Sequence, residues 1–453
     1  MRMHETIERA LALSRADECV VIGSRSSQAN LRWANNTTTT NGVVEDASLA
    51  IISIVGGAVG VVRRDHVPDD ALEDLVRESE AACEGKPPAE DAMPLVEATT
   101  EPRDWTDEAA RTDVSVFAGA AAAMAEMFAR ARAEDVLTFG YAEHAVTNTW
   151  LGTSTGLRRR FVRPYGQLDF TGKSAGFARS SWAGRLTRTF DDVDIGAMYA
   201  DIRRRLAWSE RRSEVPAGRH EVLLTPSCVA DMAIYQYWMS DRRDADEGQT
   251  VFGKPGGGNK VGEKLFAGEV SIYSDPAEPV LEYEPFVAAL RSTAAHSVFD
   301  NGLERGRTDW VRDGVLTALV TPRYWAKRAG GEAVPSAGTI AFDHPGGPSL
   351  QDMIARTDRA LLVNCFWYIR SVDPQTLLLT GLTRDGVFLV EHGEVKGAVN
   401  NFRFNMSPVT MFANAIEIGP SEVTLPREFD TQRAKAPPMR VADFHFSSVS
   451  NAT

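Results

Sequence analysis

Histidine and cysteine, the side chains that most often bind zinc, are scarce in this sequence of 453 residues and never stand close together. The four cysteines form no CxxC pair, which excludes a zinc knuckle and a disulfide framework and indicates a reducing compartment. No two of the eight histidines show the spacing of metal ligands, although ligands from distant parts of the chain would escape a sequence reading. These residues are Cys19, Cys83, Cys228, Cys365, His4, His66, His144, His220, His296, His344, His392 and His445.

A long apolar run is also missing. The most apolar stretch, residues 47–62, is interrupted by Gly56-Gly57 and is shorter than the ~20 residues that a membrane-spanning helix needs. The first 16 residues mix charged side chains into a helical pattern and lack the apolar core of a signal peptide. The net charge of −13 argues against a nucleic-acid or anionic-membrane partner. We therefore expect a cytoplasmic protein.

The chain is too long for one ordinary hydrophobic core. Helical patterns and strand pairs alternate up to a proline–glycine hinge at residues 215–218, beyond which short strands with glycine-rich turns dominate. The sequence predicts an α+β fold with two domains. Residues 1–215 form an N-terminal α+β domain, in which residues 86–112 could hold a further boundary. Residues 216–453 form a mainly antiparallel, barrel-like β domain with a few packed helices.

Residues 221–238 are predicted to place a helix directly behind a short buried strand. Residues 222–224 form the strand, Pro226 ends it, and Ser227 is expected to cap a helix that runs to residue 238. A metallopeptidase carries a His-Glu…His set on such a helix, because two imidazoles can share a zinc ion while the carboxylate activates its water. This helix contains no histidine.

His220-Glu221 is the only His-Glu pair with an apolar run behind it. An HExxH or HExxxH motif would need a second histidine where Leu224 or Thr225 stands. The pair also begins a predicted strand, so its side chains would not share a helical face. We therefore exclude a zinc site here.

Cys228 is the one candidate nucleophile on the helix. A helix N-terminus lowers the pKa of a thiol, which would make Cys228 reactive. No histidine follows within two helical turns, and a buried, apolar role is favoured. Cys365 is predicted to be an ordinary strand residue.

Two further motifs also favour structural interpretations. Residues 253–264, GKPGGGNKVGEK, suggest a phosphate loop, but Glu263 stands where the lysine belongs and no Ser or Thr follows it. We interpret them as a mobile loop at the rim of a cleft. The aromatic residues 366–368, Phe402 and Phe404 could line a groove for an apolar peptide or belong to the core.

The order of these elements resembles the TldD/PmbA family of peptidase subunits over nearly the whole chain. Each motif is weak alone, and the resemblance depends on their order. The motifs are the strand and helix at 221–238, the glycine-rich loop leading into LFAGEVSIYSDP, VFDNGLERGRTDWVRDGVLTALV, AFDHPGGPSLQDMI, DGVFLVEHGEVKGAVNNFRFN, the strand pair around Gly56-Gly57 with its following helix, and VTNTWLGTSTG.

The resemblance implies one half of a heterodimer. In this family a TldD-type subunit holds zinc with HExxxH and a C-terminal cysteine, whereas a TldE/PmbA-type subunit has neither. Our sequence lacks HExxxH, and no cysteine follows Cys365. The resemblance therefore implies a chain without catalytic, cofactor-binding or metal-binding residues, with zinc in the partner. The expected function is that of the non-catalytic subunit of a zinc metallopeptidase, which degrades unfolded peptides or processes leader peptides. The helix at 227–238 would face the shared cleft as a scaffold.

Exposed strand edges are consistent with this role, because a peptide can add to an edge as an extra strand and a partner can cover it. Two other interpretations stay open. One is a peptide-binding protein without a proteolytic role, and the other is a metal-independent hydrolase that uses Cys228 or a Ser/His pair. A neighbouring reading frame that encodes an HExxxH partner would favour the heterodimer.

Overall fold

The N-terminal part is built on one antiparallel sheet. The computed structural model describes residues 2–98, 100, 102–429 and 433–450. The strands are β1 (Glu18–Ala34), β2 (Thr37–Val55), β3 (Ala58–Asp65), β4 (Leu137–Thr153), β5 (Arg158–Ser174) and β6 (Arg179–Thr187). They lie in the order β3-β2-β1-β4-β5-β6. The helices are α1 (Met3–Leu13), α2 (Leu72–Ala81), α3 (Ala118–Ala133) and α4 (Ile195–Trp208).

Both faces of β1 and β2 are buried where the two strands carry continuous apolar runs, at residues 19–22 and 49–54. Cys19 and Val21 pack toward α1 and α2, whereas the alternate residues Val20 and Ile22 pack against residues 286–299 of the C-terminal part. Since side chains alternate across a strand, apolar residues at every position require cover on both sides. The sheet therefore joins the two parts of the molecule through a shared core.

The predicted strand pair around Gly56-Gly57 is confirmed as the β2–β3 hairpin. Both glycines have positive φ, +56° and +80°, which is what a two-residue turn between antiparallel strands requires.

One helix among the described residues, Val114–Ala133, is long and apolar enough to span a membrane by length and composition, with a mean hydropathy of 1.3. Its apolar residues Met124, Met127 and Phe128 pack in one core with α4 and with Trp33 and Phe170 of the sheet. These contacts bury one face of the helix, and 33% of its most apolar stretch is buried.

The C-terminal part contains a closed barrel and a second sheet. Its strands are β7 (Gly218–Leu224), β8 (Ile272–Ser274), β9 (Thr308–Arg312), β10 (Val315–Leu316), β11 (Ile340–Phe342), β12 (Arg359–Asp373), β13 (Leu378–Glu391), β14 (Glu394–Ala398), β15 (Asn401–Met406), β16 (Ala415–Ile418), β17 (Glu422–Thr424), β18 (Ala434–Ala436) and β19 (Met439–Ser450). The helices are α5 (Pro226–Trp238), α6 (Arg242–Asp246), α7 (Arg323–Ala329), α8 (Leu350–Arg356) and α9 (Pro408–Ala413).

The barrel closes because β12 pairs with both β7 and β13, while β19 and β15 complete the ring. Its interior is filled by aromatic rings in contact, among them the tilted pair Phe366 and Phe404 with centroids 4.6 Å apart and the stacked pair Phe402 and Phe446 at 4.5 Å. The second sheet has the order β10-β9-β8-β11-β18-β17. The predicted α+β fold with a barrel-like C-terminal half is confirmed, whereas the domain boundary at residues 215/216 stays a prediction.

Several predicted elements are corrected. The sequence pattern divides each of β1, β4 and β5 into two shorter strands, but each is a single long strand, because the backbone pairing continues through the polar positions. The sequence pattern predicts a short helix at residues 284–290, but these residues are irregular. The dipeptide Asp385-Gly386 predicts a hairpin turn, but it lies within β13, where the pairing register with β12 shifts. β19 was not predicted at all, since a bulge at Asp443 interrupts its alternation.

Candidate functional site at the buried helix

Helix α5 begins at Pro226, directly after β7. Thr225 is its N-cap residue, so the prediction that Ser227 caps the helix is wrong by two positions. Proline fits the first helical position because that residue needs no N–H donor and its φ is already helical. The Thr225 hydroxyl does not cap the helix and instead donates to the Asn364 carbonyl oxygen at 2.7 Å, which fixes the helix start to β12.

The helix is interior. Every residue from 227 to 236 is buried, between β7 and β12 of the barrel on one side and β11, β18 and α9 on the other. The expectation that this helix faces a cleft shared with a partner subunit stays a prediction. Its first turn, at Pro226 and Ser227, reaches a cavity of about 230 Å³ that α4 and β6 also line. Trp238, at the other end, is 41% exposed.

A short segment between β17 and β18 covers one face of α5. We call residues 425–429 the strap. The backbone N–H of Arg427 donates to the Ser227 hydroxyl at 3.1 Å, and that of Glu428 donates to Asp231 Oδ1 at 3.2 Å. The Phe429 ring lies against Tyr235 and Trp238, 5.2 and 4.7 Å between centroids. These helix positions are spaced by three or four residues, so they form a single stripe.

The strap is also tied to the barrel through the Glu428 carboxylate. The N–H groups of Tyr368 and Ile369 donate to it at 2.6 and 3.0 Å, and the Arg370 guanidinium donates at 3.1 Å. The pairing register of β12 shifts at this point, and Tyr368 has a φ of +55°. The bulge turns two successive N–H groups to the same side, which makes an anion-binding concavity.

Asp231 lies beneath the strap and is fully buried. Burial raises the pKa of its carboxyl well above the ordinary value, and the negative charge of Glu428 adds to this, while the hydrogen bond from the Glu428 N–H opposes it. Its Oδ2 has no hydrogen-bond partner within the described part of the chain. The carboxyl is therefore expected to hold a proton at pH values where an exposed aspartate is ionised.

The two cysteines near the helix are buried and unreactive in this setting. Burial raises the pKa of the Cys228 thiol, which donates to the Val363 carbonyl oxygen at 3.6 Å. Burial also raises the pKa of Cys365. Because the thiolate is the nucleophile, these shifts disfavour a hydrolase that uses Cys228.

His220 and Glu221 lie on β7, as predicted, and each has a local partner. His220 Nε2 is 2.9 Å from the Pro216 carbonyl oxygen, and Glu221 pairs with Arg440 at 2.6 Å. Among the described residues, no group of three or more His, Cys, Asp or Glu side chains could hold a metal ion. The donors around α5 thus do not fit a zinc ion.

The glycine-rich loop at residues 253–264 is anchored rather than open. Lys254 pairs with Glu263 at 2.8 Å, and Asn259 donates to Asp246 of α6 at 2.6 Å. These contacts do not support the interpretation as a mobile loop at a cleft rim.

We call the anion-binding concavity formed by Tyr368, Ile369 and Arg370 the nest. Neither the strap nor the nest was predicted from the sequence. Glu428 lies about 60 residues from its donors, and no local pattern connects the two segments. The aromatic residues singled out earlier divide between two places. Phe366, Phe402 and Phe404 belong to the barrel core, whereas Tyr368 is 55% exposed beside the strap.

Comparisons with known proteins agree on one family. Residues 217–448 match the family model of the PmbA/TldA metallopeptidase C-terminal domain, and residues 19–83 match that of PmbA/TldA metallopeptidase domain 1. A comparison with curated proteins found no match.

Solved structures share the fold. TldE from Thermococcus kodakarensis is 17% identical, with a TM-score of 0.80, and the match covers 98% of this chain and 99% of that one. A proposed DNA gyrase modulator from Thermotoga maritima MSB8 is 16% identical, with a TM-score of 0.77 and coverage of 97% and 99%. Another, from Bacteroides thetaiotaomicron VPI-5482, is 14% identical, with a TM-score of 0.76 and coverage of 98% of both chains.

Proposed function

The chain belongs to the PmbA/TldD metallopeptidase family, and from that premise we propose that it is the non-catalytic subunit of a heterodimeric TldD/TldE-type zinc peptidase. Its partner is a TldD-type subunit that carries HExxxH and the zinc ion. The substrates are unfolded peptides or leader peptides, and the compartment is the cytoplasm.

The proposal rests on two features of α5, its burial and its lack of histidine. A catalytic zinc keeps one coordination position open to water and substrate, so its helix must expose ligands to a cleft. Here the helix carries Cys228 and Asp231, has no histidine, and is covered by the strap. The element that would hold the metal in a catalytic subunit is a core element in this chain.

The structure of α5 also supports a scaffold role. Its buried residues connect the barrel to the second sheet, so the helix fixes the relative position of two β structures. A rigid frame of this kind can hold a partner's site and one wall of a shared chamber without contributing a reacting group. The zinc chemistry, a metal-activated water that attacks the peptide bond, would belong to the partner.

Metal content and association test the proposal together. We expect the purified chain to bind no stoichiometric zinc and to cleave no unfolded peptide. After co-expression with a TldD-type chain, we expect a stable heterodimer with zinc in the partner and with peptidase activity. Cleavage by the chain alone, or failure of the two chains to associate, would contradict the proposal.

A further inference from the structure

The bulge of β12 holds a carboxylate with the geometry of a ligand site. Two successive N–H groups, from Tyr368 and Ile369, and the guanidinium of Arg370 converge on the Glu428 carboxylate at 2.6 to 3.1 Å. Backbone N–H groups arranged in this way capture carboxylates of peptide ligands in other proteins. Arg370 is 55% exposed, so its guanidinium is within reach of a ligand from solvent.

The next residue of the strap fills a second subsite. Phe429 lies between Tyr235 and Trp238, with ring centroids 5.2 and 4.7 Å away. Trp238 and Tyr368 are both exposed at the rim. The strap thus shows how an acidic residue followed by an aromatic one fits this surface, with the carboxylate in the nest and the ring against two aromatic side chains.

The closed strap leaves polar atoms unsatisfied. Asp231 Oδ2 beneath it and Arg427 Nε within it are buried and have no hydrogen-bond partner among the described residues. Buried polar atoms without partners destabilise the arrangement that buries them. Arg427, Glu428 and Phe429 are partly buried, and the Arg427 guanidinium lies over the rings of Trp182 and Trp367, 5.2 and 4.7 Å from their centroids.

We propose that the nest of Tyr368, Ile369 and Arg370 is a binding site for an acidic side chain of an extended peptide, with an aromatic residue next to it. The strap occupies this site when no peptide is bound. Because the strap is part of the same chain, it competes at a high effective concentration, and a free peptide binds well only when the strap is weakened. This site needs neither the partner nor proteolysis, so it stands apart from the function proposed above.

Binding of the chain's own strap sequence tests the site directly. The probe is a fluorescently labelled, amide-terminated peptide, TLPREF, which reproduces residues 424–429, and the matched control is TLPRQF. The double variant Glu428→Ala/Phe429→Ala empties both subsites without touching the nest. We expect it to bind TLPREF about tenfold more tightly than the wild type does, and to bind TLPRQF about tenfold less tightly than TLPREF, since charge-assisted hydrogen bonds are lost. Adding Arg370→Ala should remove most of the remaining affinity.

Equal affinity for TLPREF and TLPRQF, or no binding by a folded double variant, would overturn the proposal. A further control is TLPRQF with a free C-terminus. If this peptide binds as tightly as amidated TLPREF, the nest binds C-terminal carboxylates, and its assignment to acidic side chains is overturned. Circular dichroism and thermal melting establish that each variant is folded. If the double variant does not fold, the affinities for TLPREF and TLPRQF are compared in the single variant Glu428→Gln instead.

Discussion

Under the proposed role as a non-catalytic subunit, Asp231 is the most informative single residue. It lies on the helix that follows β7, is fully buried, and has one carboxyl oxygen paired with a strap N–H while the other is unpaired. An ionised metal ligand or general base would need solvent, a metal or a cationic partner to stabilise its charge. Burial instead favours the neutral acid, as the raised pKa indicates. The carboxyl is therefore part of the packing under the strap.

Replacing Asp231 by asparagine should flatten the pH dependence of stability. The folded-state pKa is raised above the ordinary 3.8, so the folded state holds the proton more tightly than the unfolded state does. The wild type should lose stability as the pH rises from about 4 toward the folded pKa, by roughly 1.4 kcal/mol per pH unit from this group. Asp231→Asn lacks this contribution.

Urea unfolding of both proteins between pH 5 and 7 measures the effect. As the pH rises, the free energy of unfolding of Asp231→Asn should increase relative to that of the wild type. Parallel curves for the two proteins would show that Asp231 is ionised in the folded protein.

At the scale of elements, sequence patterns identified helices and strands whose periodicity is continuous and missed a strand that a bulge interrupts. The pattern of residues 195–208 predicts a helix with the bounds that α4 has, and the Gly56-Gly57 hairpin was found because its turn residues are diagnostic. β19 was missed because the bulge at Asp443 breaks its alternation. The strap was missed because its contacts with α5 and β12 join segments far apart in the chain, and sequence patterns report only local periodicity.

The barrel core provides a stability test at this scale. Phe404 is fully buried and its ring packs against that of Phe366, so Phe404→Ala should lower the free energy of unfolding by about 3–5 kcal/mol through lost burial and an unfilled cavity. Phe177, which is 52% exposed, is the matched control. Phe177→Ala should change the free energy of unfolding by less than about 0.5 kcal/mol. Denaturant unfolding measures both. Similar costs for the two variants would contradict the closed, packed barrel.

At the scale of the whole molecule, the barrel, the second sheet and the N-terminal sheet share buried contacts. α5 connects the first two, and Phe286, Val298 and Phe299 pack on the face of β1 and β2. Sequence order alone was enough to recognise the family and the fold class. It could not show that residues 227–236 of this helix are buried, because that depends on which distant segments cover them. This arrangement is consistent with the proposed supporting role in a peptidase whose zinc lies in another chain.

The most direct test of this division of labour is a reconstitution in which each subunit is altered separately. Cleavage of a labelled unfolded peptide is measured for complexes of this chain with a TldD-type partner. With the glutamate of the partner's HExxxH replaced by glutamine, we expect activity to be lost. With Cys228→Ala or Asp231→Asn in this chain and an unaltered partner, we expect the rate to stay within about twofold of the wild type, because neither side chain reaches substrate. Loss of activity in these two variants, in complexes that still assemble and bind zinc, would contradict the account.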